Sequence, residues 1–420
     1  MRSLADWLEQ QQKSHPSAID LDLTRVRSVA QRLGLLPPPF RSIIVAGTNG
    51  KGSTVACLDT LLRVARKRTG RFTSPHLVRY NERICIDGCE ASDAALVGSF
   101  ERIEAARSAT TLTFFEYNTL AALDLFTRAQ VDVGVLEVGL GGRLDATNIV
   151  DADVGVVCSI GLDHVEWLGD SLQQIGREKA GIFRAGRPAV LGSENMPDSV
   201  WQVIEELRAH PVAPGKQFRV HRHGDLWDFE FGESNLTDLP LPSLAGEHQV
   251  GNAATALAAI VVLAARDFPV ALDRSEVIRA LEMVSVKGRF QRVPGEVEWI
   301  LDVAHNVPAA ETLRDNLRRL PPARRTVAIC GILGDKDIRG ITSMLAGEID
   351  AWIPVTLAGS RAVSADQIAQ QLPATAAVLA RAGDVAEACR AARAATRPQD
   401  RVLVFGSFLT VGPALEYLGI

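Results

Sequence analysis

The 420-residue sequence has no apolar run long enough to cross a bilayer, since the longest predominantly apolar stretch, residues 253–265, falls short of the ~20 residues a membrane helix needs. Its start, MRSLADWLEQQQKSH, has neither an unbroken apolar core nor a small-residue cleavage site, so it does not read as a secretory leader and a cytoplasmic protein is expected. Strong charge of one sign is also missing. With Lys+Arg at 45 and Asp+Glu at 50, the net charge of -5 gives no electrostatic footprint for a nucleic-acid or membrane-surface partner, and leaves room only for small charged substrates at local basic sites. Cysteine is sparse. The six residues Cys57, Cys85, Cys89, Cys158, Cys330 and Cys389 are scattered, mostly in apolar runs such as GVVCSI and VAICGIL, and read as buried free thiols. Cys85 and Cys89 have no second Cys or His pair nearby to complete a structural zinc site. Internal repeats and low-complexity tracts are absent.

What is present is an ordinary enzyme composition, 47% hydrophobic and 23% charged, on a chain too long for a single core of ~250–300 residues. Two α/β domains are predicted, residues 1–286 and 287–420. In the first, RSIIVAG is a short strand ending in glycine, followed by helical spacing over 53–66. VDVGVLEV and DADVGVVCSI are further buried strands and 171–183 suits a helix, so this domain is predicted to have a mainly parallel sheet. QFRVHRHGDLWDFEF reads as a peripheral antiparallel hairpin, and a helix is predicted from 248 to 265. A hinge is placed at 286–295, with Gly288, Pro294 and Gly295. Beyond it, strands at EWILDVAH, TVAICGIL, AWIPVTL, AAVLA and RVLVFGSF alternate with helices at 308–320, 385–395 and between the other strands. This is the pattern of a smaller, Rossmann-like doubly wound domain.

The central motif is Gly47-Thr48-Asn49-Gly50-Lys51-Gly52-Ser53, set between strand and helix. Its glycines let backbone N–H groups converge on phosphate oxygens, the helix presents its positive end, and Lys51 can neutralise the β and γ phosphates. The motif departs from the strict pattern in that Gly52 follows the lysine and Ser53 is the first hydroxyl. Such a loop serves ligases, kinases, motors and switches alike.

Further segments discriminate among these. TSPHLVRYNERI, LEVGLGGRLDATN, SIGLDHVEWLG, REKAGIF, NAATAL, GRFQ and LDVAHN, taken with GTNGKGS, span nearly the whole chain. Together they resemble the Mur ligase superfamily, in its folylpolyglutamate synthase and dihydrofolate synthase branch. Read alone, Glu137 at a strand end is a cap or a ligand for Mg²⁺, His164 a packing residue and Lys179 a solvated helix lysine. The resemblance makes Lys51, Glu137, His164 and Lys179 the catalytic set. It gives Ser53, Ser74, Glu137 and His164 to two Mg²⁺ ions, and a carbamate to Lys179. It also implies that Thr48, Asn49, Gly50, Lys51, Gly52, Ser53, Asn252, Arg289, Asp302 and His305 contact ATP. HNVPAA departs from the commoner HNP form by the extra Val307, which leaves the turn at His305 open. Thr113, Phe115, Asp145 and Ala146 match positions that contact a pterin. An aromatic face can stack on that ring and a carboxylate can bind its amino groups, although Phe115 in TLTFFEY also reads as core.

The activity the resemblance implies is ATP-dependent addition of L-glutamate to dihydropteroate and to the glutamate tail of tetrahydrofolate through an acyl phosphate, by a monomer. Two rivals stand beside it: a Mur-type ligase with another carboxylate acceptor, such as a cell-wall nucleotide precursor, and a P-loop NTPase switch. A non-catalytic nucleotide-binding scaffold would leave Lys51, Glu137, His164 and Lys179 together unexplained.

Overall fold

The structure, a computed structural model, describes residues 2–17, 19–359 and 361–420. The chain packs as two compact units. The first is made of Met1–Pro75, Asn81–Ser243 and Glu247–Ser285, the second of His76–Tyr80, Leu244–Gly246 and Val286–Ile420. No helix among the described residues is long and apolar enough to cross a membrane.

The first unit is built on eight strands: β1 (Arg41–Ala46), β2 (Thr69–Phe72), β3 (Ile84–Ile86), β4 (Cys89–Glu90), β5 (Val133–Glu137), β6 (Val154–Val157), β7 (Pro188–Leu191) and β8 (His210–Val212), in the order β4-β3-β2-β5-β1-β6-β7-β8. All neighbours from β2 to β8 pair parallel, and β3 and β4 add an antiparallel edge. The central strands β5, β1 and β6 are almost continuously apolar because helices cover both faces, as a parallel sheet requires. The register sets Val45 against Glu137 and Ala46 against Val157. Three loops therefore leave the sheet side by side from its carboxyl edge, where open α/β sheets bind ligands. They are the phosphate loop, the glycine-rich segment after Glu137 and the segment leading to His164.

Local departures from the predicted elements have identifiable causes. The helix after the phosphate loop runs Lys51–Val64 rather than 53–66. It starts earlier because Gly50 (φ +87°) makes the turn, and it stops where Arg66 takes φ +58°. The helix predicted at 171–183 is Leu172–Ala180, opened by a capping box between Ser171 and Gln174 and ended at Gly181. The predicted hairpin is a three-stranded antiparallel sheet, β9 (Phe218–His223), β10 (Leu226–Phe231) and β11 (Ser234–Pro240), in the order β11-β10-β9. The polar run SNLTDLP hid its third strand.

The second unit has β12 (Gln291–Val293), β13 (Glu298–Asp302), β14 (Thr326–Cys330), β15 (Ala351–Pro354) and β16 (Arg401–Phe405), ordered β12-β13-β16-β14-β15. All pairs are parallel except β12 on β13. Alternate residues feed two apolar layers: Trp299 and Leu301 enter one, Ile300 the other. This is the doubly wound arrangement. The expected strand AAVLA does not form; the segment meets β15 at an isolated bridge, Trp352–Val378, and a second bridge, Val355–Ala382, lies just beyond both. The segment predicted as a hinge contributes β12, so its second half is sheet edge.

Candidate active site

Gly50 caps the Lys51–Val64 helix with no side-chain hydrogen bond, which leaves the first N–H groups of that helix facing the loop, an anion-binding arrangement. The loop tolerates little added bulk. A Cβ on Gly50 would lie 2.7 Å from Asn252 Oδ1, and one on Gly47 would lie 3.1 Å from Cys158 Cβ. Asn252, carried by the His248–Ala264 helix and bonded through Nδ2 to Gln249 Oε1 at 2.9 Å, is thus a wall of the loop. Lys51 folds back, its Nζ donating to the carbonyls of Gly47 (2.8 Å) and Thr48 (3.3 Å). Ser53 is buried in the first turn.

The phosphate loop is tied to the loop after β6. Thr48 N donates to Ser159 O at 2.8 Å, Asn49 N to Ser159 Oγ at 3.0 Å, and Ser159 Oγ to Asn49 O at 3.0 Å. Thr48 Oγ1 also bonds Gly161 in both directions. Three residues further on, His164 takes φ +52° at the start of the short Val165–Leu168 helix. Its Nε2 lies 3.9 Å from Asp163 Oδ2.

Glu137 is 4% exposed at the end of β5. It faces the phosphate loop, since a Cβ on Gly52 would lie 3.9 Å from its Oε1, and it accepts the Ser74 N–H at 3.3 Å. Lys51, Gly52, Ser74 and Glu137 thereby share one place.

Lys179 is 5% exposed, against the ordinary expectation of a solvated helix lysine. Gly142 permits this. A Cβ there would lie 2.8 Å from Lys179 O, and Arg143 N donates to Glu178 O at 2.8 Å, so the glycine-rich loop lies directly on the helix end. Burial, and next the charge of Lys51, push the Lys179 ammonium down to about 7, while Asp163 and Asp145 act the other way.

The comparisons with known proteins fall on this geometry. The Mur ligase middle domain family matches residues 45–260, and the Mur ligase glutamate ligase domain family matches 288–408. The chain belongs to the Mur ligase family. The dihydrofolate synthase/folylpolyglutamate synthase of Escherichia coli is 43% identical over 99% of this chain and 95% of its own. That of Haemophilus influenzae is 38% identical over 97% and 96%. Among solved structures, E. coli FolC in complex with DHPP and ADP superposes with a TM-score of 0.93, at 43% identity, over 100% of this chain and 98% of that one. A bifunctional folylpolyglutamate synthase/dihydrofolate synthase with Mn, AMPPNP and L-glutamate bound gives 0.91, at 42% identity, over 100% and 99%.

In this Mur ligase, the residues predicted to contact a pterin have structural duties of their own. Thr113 is buried as a helix cap, its Oγ1 accepting from Glu116 N at 3.2 Å while Glu116 Oε2 accepts from Thr113 N at 2.7 Å. Asp145, also buried, accepts from the N–H groups of Gly139 and Leu140 through one oxygen and from Thr147 through the other. Burial raises its carboxyl against those bonds. Its two oxygens thus hold the glycine-rich loop in shape. Ala146 is buried in the following turn, and half-buried Phe115 packs on Phe72 with centroids 5.7 Å apart.

Arg289, Asp302 and His305 come together in the second unit. Asp302 accepts from Phe290 N at 2.7 Å and Ala304 N at 2.8 Å; burial raises its carboxyl and the Arg289 charge opposes this. His305 Nδ1 lies 2.8 Å from Val303 O, and Arg289 lies over the Phe408 ring. Val307 starts the helix after His305, with Asn306 as its cap, so the insertion before Pro308 is absorbed into the first helical turn.

Sequence reasoning passed over Ser159, Gly161 and Asp163. All three lie within the quoted SIGLDHVEWLG, but the phosphate-loop partners of Ser159 and Gly161 are more than a hundred residues away, and Asp163 acts on Lys179 from a separate element, beyond the reach of local pattern.

Proposed function

We propose that this Mur ligase adds L-glutamate to dihydropteroate and to the glutamate tail of tetrahydrofolate at the expense of ATP. The observation that carries this is the uncapped helix start with Lys51, flanked by Glu137 and Ser74, in a chain 43% identical over nearly its full length to an enzyme of that name. A glycine cradle that a Cβ would fill and a buried carboxylate beside it suit a nucleotide phosphate and a divalent metal. Ser53, Ser74, Glu137 and His164 are the residues assigned to hold Mg²⁺, two ions by the family resemblance. When bound, Mg²⁺ supplies charge neutralisation at the phosphate oxygens.

The chain's own groups do the rest. The N–H groups of Gly50 to Ser53 cradle the phosphates, and Lys51 leaves its two loop carbonyls to neutralise charge as the γ-phosphoryl passes to the acceptor carboxylate. The resulting acyl phosphate is attacked by the glutamate amine, and phosphate leaves as the amide forms. Lys179, its ammonium lowered to about 7, is the site proposed for the carbamate. Arg289, Asp302 and His305 keep the nucleotide contacts that the resemblance implies. Phe115, Ala146 and the shell fixed by Thr113 and Asp145 receive the pterin. The functional boundary at 286/287, a monomeric state and a cytoplasmic setting belong to this same proposal, which rests on the composition and the family.

Assays with dihydropteroate and with tetrahydrofolate, each with ATP and glutamate, should both yield product. Heavy-oxygen label in the acceptor carboxylate should appear in released phosphate, and an unlabelled phosphate product would refute the acyl phosphate. ADP release that runs equally fast without acceptor and glutamate would favour the NTPase switch.

A further inference from the structure

The three-stranded sheet β9–β11 takes no part in the chemistry above. Its two faces differ sharply in composition. Phe218, Trp227, Phe229 and Leu239 are buried on one. On the other, the register sets His221 across from Asp228, with His223 two residues further along β9, across from Leu226 and diagonal to Asp228. Asp238 joins them through an irregularity in β11. Between the pairs Trp227–Leu239 and Phe229–Leu236, both Thr237 and Asp238 stand against Asp228, and Asp238 takes φ +51°. Such a bulge re-aims a side chain, and aspartate is among the few residues that enter this region readily. Arg274 fixes the bulge by donating to the carbonyls of Thr237 (2.6 Å) and Asp238 (2.8 Å). Asp238 N donates to Asp228 Oδ1 at 2.8 Å.

His223 Nε2 lies 3.0 Å from Asp228 Oδ1 and 3.9 Å from Asp238 Oδ1, and one ligand atom from each of the three residues lies within 4.8 Å of the others. Tetrahedral zinc with bonds of about 2.0–2.2 Å sets its ligand atoms about 3.3–3.5 Å apart, between those two separations. One imidazole nitrogen and two carboxylate oxygens form a borderline donor set that selects zinc over magnesium, which prefers oxygen alone. We propose that His223, Asp228 and Asp238 form a peripheral zinc site that clamps β9, β10 and β11 together, separate from the Mg²⁺-dependent active site.

Zinc titrated into the chelator-washed full-length protein, with Mg²⁺ and ADP in excess to occupy the active site, should bind one ion per chain at this sheet and raise the melting temperature. His223→Ala and Asp238→Asn should each weaken that binding by more than about tenfold, the scale reached even by outer-shell changes at metal sites. Asp225→Asn in the adjacent turn removes the same charge without a ligand and should leave binding intact. Ligase turnover in His223→Ala should match that of the parent. Equal zinc affinity in parent and His223→Ala, or an equal loss in Asp225→Asn, would overturn the assignment. Anomalous scattering from zinc-grown crystals gives an independent decision: density between His223 and Asp238 supports the site, and density only elsewhere refutes it.

Discussion

The hydroxyl of Thr48 and the backbone of Gly161 exchange two hydrogen bonds, Oγ1 donating to the Gly161 carbonyl and accepting its N–H, each at 3.0 Å. The phosphate loop is therefore held to the segment that ends at His164, and the position of one depends on the other. Thr48→Val keeps the shape and removes both bonds, a loss of about 0.5–1.5 kcal/mol each in this half-buried place. Turnover should fall by about a hundredfold, as small misplacements of reacting groups do. Thr48→Ser should recover most of it. Steady-state kinetics and thermal melts of the two variants check this; equal activity in Thr48→Val and the parent would mean that the tie does not position the site.

The depressed Lys179 makes a pH prediction. In the folded chain its ammonium sits at about 7, below the ordinary 10.5. Between those values the unfolded chain binds more protons, so this group's destabilising contribution is complete below pH ~7 and fades as pH rises toward ~10. Lys179→Met, which keeps the bulk and never charges, should therefore be more stable than the parent near pH ~7, with the advantage vanishing near pH ~10. Urea melts in carbon-dioxide-free buffer measure the difference. A constant advantage across this range would mean that Lys179 titrates normally.

The same lowering leaves a share of neutral amine near pH 7, the form that can take up carbon dioxide. Native mass spectrometry in bicarbonate should show one added CO₂ on the parent and none on Lys179→Met, with turnover rising as bicarbonate is supplied. An unmodified, fully active parent would remove the carbamate from the mechanism.

The nucleotide half of the site was legible because its parts are contiguous: RSIIVAG, the glycines and Lys51 meet within one strand–loop–helix unit. The rest needed the sheet. Glu137 reaches the phosphate loop because β5 pairs with β1 in register, and that pairing is set by packing across the whole domain. Lys179 looked like a surface lysine because helical periodicity says nothing of what lies on the helix; Gly142, whose hydrogen side chain lets a loop settle there, is the cause. The strand Ser234–Pro240 was missed for the complementary reason, since its outer face is polar and only Leu239 is fully buried.

Lys51 should be dispensable for folding and indispensable for turnover. Its ammonium bonds two loop carbonyls from a partly exposed position, so their loss in Lys51→Ala exposes acceptors that water can reach and costs no more than about 1 kcal/mol. Without its charge, nucleotide affinity should drop and Lys179 should titrate higher, because the Lys51 cation is one of the causes that lower it. Circular dichroism and calorimetric nucleotide binding test both halves, and retained turnover would take the loop out of the active site.

Gly139 offers a test of the acceptor site that leaves the nucleotide untouched. A Cβ there would fall 2.6 Å from the ring of Phe115, so Gly139→Ala must push that ring from its place against Phe72. If Phe115 stacks on the pterin, the displacement forfeits an aromatic contact of ~0.5–1.5 kcal/mol, which corresponds to a rise of about two- to tenfold in KM for dihydropteroate. The KM for ATP should not change, because the cradle around Gly50 is formed by other residues. Phe115→Leu should show the same split without the steric push, which separates lost stacking from a distorted loop. An unchanged acceptor KM in both variants would return Phe115 to the core.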